Sequence, residues 1–170
     1  ARTVIHMLID IVSKNGNLLL SVPMKGDGTI DDKEEKILED IAAWMNVNKE
    51  SIFDTRPWRI FGEGPAAETV IPLDGAGFNE GKNEPYTSED IRFTEKGNTL
   101  YAHVMEWPEN GKILIKSLAS DGPHYKGQIK KVEILGGGKA NFQRTAKGLL
   151  VDLPKGKRPN DISFVLKIMN

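Results

Sequence analysis

Residues 18–22, Leu18-Leu19-Leu20-Ser21-Val22, form a nearly unbroken apolar run that Asn15-Gly16-Asn17 precedes and Pro23 closes. A short apolar run bounded by turn residues reads as a strand buried on both faces, as in a parallel α/β sheet. Upstream of it, Val4, Ile5, Leu8, Ile9 and Val12 recur at helical spacing, with Ile11 widening the stripe. Ser13-Lys14-Asn15-Gly16 ends this helix, with Lys14 in the last turn and Gly16 free to take a left-handed cap. Downstream, Gly26-Asp27-Gly28 supplies a bend, and the acidic opening Asp31, Asp32, Glu34 and Glu35 complements a helix N-terminus. Ile37, Leu38, Ile41, Trp44 and Met45 then mark one apolar face. Helix, strand, helix over residues 1–56 is a piece of a doubly wound or barrel fold.

From Trp58 onward the hydrophobic period becomes two. Ile91 and Phe93 lead through Lys96-Gly97-Asn98 into Leu100, Ala102 and Val104, which predicts a hairpin. Ile113 and Ile115, Val132 and Ile134, Leu149, Val151 and Leu153, and the set Ile162, Phe164, Leu166 and Ile168 continue the alternation. Six or more short strands separated by Gly, Pro and Asn turns predict an antiparallel β-sandwich. Pro72 to Asp90 reads as a long polar excursion or mobile loop. The boundary falls at Asp54-Thr55-Arg56-Pro57-Trp58, where Pro57 biases Arg56 away from helix.

Composition narrows the function classes. Lys plus Arg number 23 against 24 Asp plus Glu, so no basic field awaits nucleic acid or anionic lipid. Without cysteine, disulfides and thiolate metal sites are excluded. No apolar stretch approaches bilayer length, and the N-terminal residues carry no signal-peptide pattern.

Candidate chemistry is sparse. His6, His103 and His124 lie far apart on a helix, a strand and a loop, which gives no metal-ligand spacing. Asp31 to Glu35 reads as a solvated helix start, and Gly136-Gly137-Gly138 precedes no helix that could cradle phosphate. Lys25-Gly26-Asp27-Gly28 does sit between strand and helix, yet it lacks Walker-type spacing and reads as a turn. No serine occupies a nucleophile-elbow context. Trp44 belongs to the core. Trp58, Trp107 and Tyr101 could be sugar platforms, with buried packing the plainer expectation. Neither a cofactor nor a metal is expected, and the residues alone name no reaction.

A family resemblance adds what spacing cannot. Leu8-Ile9-Asp10-Ile11-Val12-Ser13-Lys14-Asn15-Gly16-Asn17-Leu18-Leu19-Leu20, Gly26-Asp27-Gly28-Thr29-Ile30 and Trp44-Met45-Asn46-Val47-Asn48-Lys49-Glu50-Ser51-Ile52-Phe53 resemble the final barrel segment of family 29 α-L-fucosidases. Thr55-Arg56-Pro57-Trp58 resembles the junction with that family's C-terminal domain. Tyr86 to Thr94, Gly97-Asn98-Thr99-Leu100-Tyr101-Ala102, Trp107-Pro108 and Ile115-Lys116-Ser117-Leu118 continue the likeness. Ser21 stands where many members carry asparagine, which points to a subgroup.

The resemblance implies an α+β chain: the terminal helix-strand-helix of a (β/α)8-like barrel over residues 1–56, followed by an antiparallel β-sandwich over 57–170. Such enzymes are similar to other retaining glycosidases, with paired carboxylates about 5 Å apart. No Asp or Glu here matches the family's nucleophile or acid, so no catalytic residue is expected in this chain. Ser21 and Met24 are expected to line the rim of the barrel mouth as substrate-binding residues. The implied partners are fucosylated glycans, reached through an absent catalytic half, and either an upstream barrel segment or a second copy of the chain to bury the leucines. The residues leave the compartment unknown; analogy with the family suggests a periplasmic or secreted bacterial protein. The competing function is a free-standing carbohydrate-binding or structural β-sandwich, which the apolar parallel-type strand disfavours. Dimerisation through residues 1–48 is the expected fate of that strand, on the premise that the sandwich has a polar outer face.

Overall fold

Two helices open the chain, as their apolar stripes require: α1 (Arg2–Ser13) and α2 (Asp32–Asn48). The computed structural model describes residues 1–68, 85–154, 156 and 158–170. Asp31 caps α2 by accepting the Lys33 N–H at 2.9 Å, and Asp32, Glu34 and Glu35 occupy its first turn, favourable for the helix dipole. At the end of α1 the left-handed residue is Asn15 (φ 67°), not Gly16. Gly16 instead donates its N–H to the Ile11 carbonyl at 2.8 Å, and any Cβ there would stand 2.7 Å from Ile11 Cγ2. Close approach, and not a positive φ, is what demands this glycine.

Among the described residues nine strands follow: β1 (Arg56–Glu63), β2 (Ile91–Lys96), β3 (Thr99–Val104), β4 (Lys112–Ile115), β5 (Lys131–Ile134), β6 (Gly138–Lys139), β7 (Asn141–Thr145), β8 (Gly148–Asp152) and β9 (Phe164–Met169). They form a six-stranded sheet in the order β1-β2-β3-β9-β5-β6 and a three-stranded sheet in the order β4-β8-β7. Every strand pairing is antiparallel. The predicted hairpin is β2–β3, with Lys96 opposite Thr99. The excursion expected over residues 72–90 lies outside the described residues up to 84; the part from Pro85 onward leads into β2.

One core lies between the two sheets. Phe93, Leu100, Ala102, Val104, Phe164, Leu166 and Ile168 from the larger sheet meet Ile113, Ile115, Leu149 and Val151 from the smaller. A second core covers the other face of the larger sheet. There Tyr101, Met105, Leu135 and Val165 pack against Ile5 and Ile9 of α1, Trp44 of α2 and Ile52. The order from one side to the other is thus helices, sheet, sheet. Strands β2, β3 and β9 are buried on both faces, so the larger sheet lacks the expected polar outer face. The side chains at 101, 103 and 105 alternate with 100, 102 and 104, so the pleat alone sends them to the helices.

The run at 18–22 departs from its sequence reading. It forms no strand; Leu19 is 97% exposed and Leu20 43%. The cause is the absence of a parallel neighbour: no described segment pairs with it, and an extended backbone without ladder partners is not a sheet strand. What the structure bears out of the fold class is mixed helix with antiparallel sheet, and the described residues form no closed barrel.

Candidate functional site

Ser21 and Met24 lie together on the connection from α1 to α2, both exposed, Met24 by 70%. Local bonds fold the connection beyond them. Met24 bridges Ile30 in antiparallel fashion, Lys25 N–H donates to the Thr29 carbonyl at 2.8 Å, and Gly28 takes φ 85°. Asp27 accepts both the Thr29 N–H (3.0 Å) and its hydroxyl (2.7 Å). Those hydrogen bonds, backbone first, hold the Asp27 carboxyl below the usual range. The loop is a closed Asx turn, as its Asp-Gly sequence suggests.

This connection hangs from a charged seat on the larger sheet. Arg92 of β2 points to the helix side, 1% exposed, and donates Nε–H to Asp10 Oδ1 of α1 at 2.6 Å. Lys14 Nζ donates to Asp10 Oδ2 at 2.7 Å and sits 4.8 Å over the Phe61 ring. The guanidinium lies between aromatic rings, 5.5 Å from Phe61 and 5.4 Å from Tyr86. Burial by itself would raise the Asp10 carboxyl; the Lys14 and Arg92 hydrogen bonds and charges outweigh it and hold it below the carboxylate range. Burial, joined by the Asp10 charge, pushes the Tyr86 phenol up.

Two further buried polar clusters are held by hydrogen bonds. Asp90 accepts the N–H of Ala66 (2.7 Å) and both the N–H and hydroxyl of Thr87 (2.8 and 2.9 Å). Thr94 donates its hydroxyl to the Ser51 carbonyl at 2.8 Å and so must accept from His103 Nε2 at 3.1 Å. That assigns His103 the Nε2–H tautomer and leaves Nδ1 a buried acceptor with no partner. Complete burial pushes this imidazole down to about 3. His6 is lowered too, by burial, against the pull of the Ile162 carbonyl 3.4 Å away. His124 meets the edge of Trp58. Among the described residues no three His, Cys, Asp or Glu side chains gather as a metal site.

The three candidate sugar platforms are spent on packing. Trp58 contacts Phe93 with ring centres 5.0 Å apart, Tyr101 lies beneath the helices, and Trp107 stacks on Phe164 at 4.1 Å with Arg158 over it at 5.0 Å. A cleft of about 820 Å³ opens beside β1 and the connection from β3 to β4. Its Glu63 carboxylate is used there, accepting the Lys116 and Ser117 N–H groups at 2.8 and 2.7 Å. Sequence reading did not single out Asp10, Arg92 or Asp90. It also missed Arg144, whose guanidinium donates to the carbonyls of Leu118, Gly127, Ala119 and Tyr125 at 2.7–3.0 Å.

Comparison with known proteins bears on the whole chain. Residues 1–50 match the profile of the α-L-fucosidase family, and residues 83–169 that of the α-L-fucosidase C-terminal domain. Tissue α-L-fucosidase of Bos taurus is 29% identical over 98% of this chain, and that of Homo sapiens 27% over 97%; in each case the chain spans 30% of the relative's length. Among solved structures, Thermotoga maritima α-fucosidase in complex with fucose superposes with a TM-score of 0.70 at 27% identity, over 99% of this chain and 34% of that one. α-L-Fucosidase isoenzyme 1 from Paenibacillus thiaminolyticus gives a TM-score of 0.69 at 25% identity, over 99% and 34%. With one profile on its helical end, another over more than half its length on the sheets, and solved fucosidases tracking nearly every residue, the chain belongs to the α-L-fucosidase family.

Proposed function

We propose that this chain serves as the C-terminal portion of an α-L-fucosidase, a retaining glycoside hydrolase that releases α-linked L-fucose from glycans. In this reading residues 1–56 are the end of a (β/α)8-like catalytic barrel and 57–170 an accessory β-sandwich. The catalytic carboxylate pair comes from an upstream barrel segment, and Leu18–Val22 becomes the barrel's closing strand once parallel neighbours flank it. Ser21 and Met24 then stand at the C-terminal end of that strand, on the rim where barrel enzymes bind substrate.

The observation that carries the reading is the order of the two profiles, barrel family at residues 1–50 and C-terminal domain at 83–169. Two features of the chain support it. The half-buried carboxylate of Asp10 and the buried one of Asp90 are already committed to donors, so they are unsuited to act as nucleophile and acid. Leu19 and Leu20 are exposed, whereas the apolar side chains between the sheets and under the helices are covered.

The purified 170-residue chain is expected to hydrolyse no aryl α-L-fucoside, whereas a protein joining an upstream barrel segment to it turns the substrate over with retained configuration. Turnover by the chain alone, free of longer contaminant, overturns the assignment of roles. Light scattering tests what covers the leucines: a dimer of the isolated chain identifies a second copy as a substitute for the barrel segment.

A further inference from the structure

We infer that the Arg92–Asp10 ion pair is a positioning device, fixing the seat of α1 on the larger sheet and so where residues 18–24 stand at the substrate rim. The inference rests on the fucosidase reading only for what lies at that rim. The apolar contacts of α1 come chiefly from Ile5 and Ile9, one turn apart. Such contacts are non-directional, and a helix seated on them can slide or roll at small cost. A charged hydrogen bond of 2.6 Å to a fully buried guanidinium allows one register.

The seat is built around Arg92. Strand β1 shifts register between Pro57 and Gly62, and Gly62 passes directly over the arginine. A Cβ at Gly62 would come within 2.8 Å of Arg92 Cδ and 2.5 Å of the Ile91 carbonyl oxygen, so only glycine leaves room for the side chain. Arg92 Nη1 donates to that same Ile91 carbonyl at 3.2 Å.

Asp10 is well placed to transmit this. It lies in the last turn of α1, where Ser13 Oγ donates to its carbonyl at 2.8 Å and Gly16 closes the turn on Ile11. The leucine run begins two residues later, with no strand pairing among the described residues. Its start is therefore fixed by the end of α1, and its far end by the Met24–Ile30 bridge. A buried ion pair is weak as a source of stability, since well-packed apolar replacements of both partners are often neutral; its contribution is a unique geometry.

That contrast supplies the test. In the enzyme containing the barrel segment, the double variant Asp10→Leu/Arg92→Met is compared with wild type. The expected result is a preserved thermal midpoint with kcat/KM for an aryl α-L-fucoside lowered at least tenfold, mainly through KM. A double variant within twofold of wild type in kcat/KM overturns the inference, while a wild type without fucosidase activity overturns the functional reading instead. In that case hydrogen exchange on the 170-residue chain still decides. The Gly16 amide is expected to exchange at least tenfold faster in the double variant, and unchanged protection refutes the device. Should the double variant fail to fold, Asp10→Asn, which keeps shape and removes charge, is read in both assays by the same criteria.

Discussion

Removing residues 1–48 takes away α1 and α2 and bares the helix-facing side of the larger sheet. Four large side chains on that side lose their cover: Tyr101, Met105, Leu135 and Val165, each less than 9% exposed in the whole chain. At roughly 1.5–3 kcal/mol per side chain, the loss is roughly 6–12 kcal/mol, an upper estimate because the unfolded chain also buries some surface. A domain of this size has about 5–15 kcal/mol in total, so the remaining sheets are expected to be molten or aggregated. Arg92 would lose Asp10 as well, leaving a cation that was sheltered by the helix. The assay is a guanidinium titration of residues 49–170 beside the whole chain, with dye binding to report exposed apolar surface. A milder variant, Trp44→Ala, leaves the helices in place; Trp44 is 1% exposed and donates its indole N–H to Ser163 Oγ at 3.1 Å. It should cost about 3–5 kcal/mol. A monomeric 49–170 protein with the same midpoint and no dye binding would refute the reasoning, and would mean that the helices merely rest on the sheet.

Two further outcomes follow from single residues. His103 is pushed down to about 3 in the fold, against 6.5 for a free imidazole, so the unfolded chain binds its proton first as pH falls. Its contribution to stability is therefore complete above pH 6.5 and lost on acidification toward 3, at up to about 1.4 kcal/mol per pH unit; His103→Gln should flatten that part of a stability–pH profile, and an unchanged slope would show that another group is responsible. Arg144→Met removes four carbonyl contacts that tie residues 118–127 to β7, for a net loss of about 2–4 kcal/mol once water takes some of the freed carbonyls; a thermal midpoint within a degree or two of wild type would be inconsistent with that role.

Much of the strand content was legible because alternation is a local signal. Ile91/Phe93, Leu100/Ala102/Val104 and Leu149/Val151 point inward as the period of two requires, and all are buried. The same rule concealed the second core. His103 sits at a position that alternation assigns to solvent, and only the helices folded back over the sheet reveal it as buried; Tyr101 was expected to pack, but the alternation did not say against what. β1 was harder to see because its register shift between Pro57 and Gly62 breaks the period. At residues 18–20 the sequence expresses a demand for burial without identifying what meets it. Arg92 gave no signal of its own, since its partner is 82 positions away. Arg144 left no pattern at all, because its partners are backbone carbonyls that any sequence provides. The seat around Asp10 was thus present in letters but not in spacing, whereas the Asp27-Gly28 turn beside Ser21 and Met24 was readable from two residues.

The placement of β9 between β3 and β5 has a consequence for synthesis. One of the two central strands of the larger sheet is the last of the nine described strands to leave the ribosome. At about 5–20 residues per second, the roughly 60 residues between β3 and β9 take roughly 3–12 s to make. Throughout that interval the β1–β2–β3 meander has a bare edge along Thr99–Val104, awaiting Phe164–Met169. Such an edge is open to pairing with any passing strand, including one from a neighbouring nascent chain. Synonymous codon changes that lengthen the pause before residue 164 should therefore lower the soluble yield without altering a single contact in the finished protein.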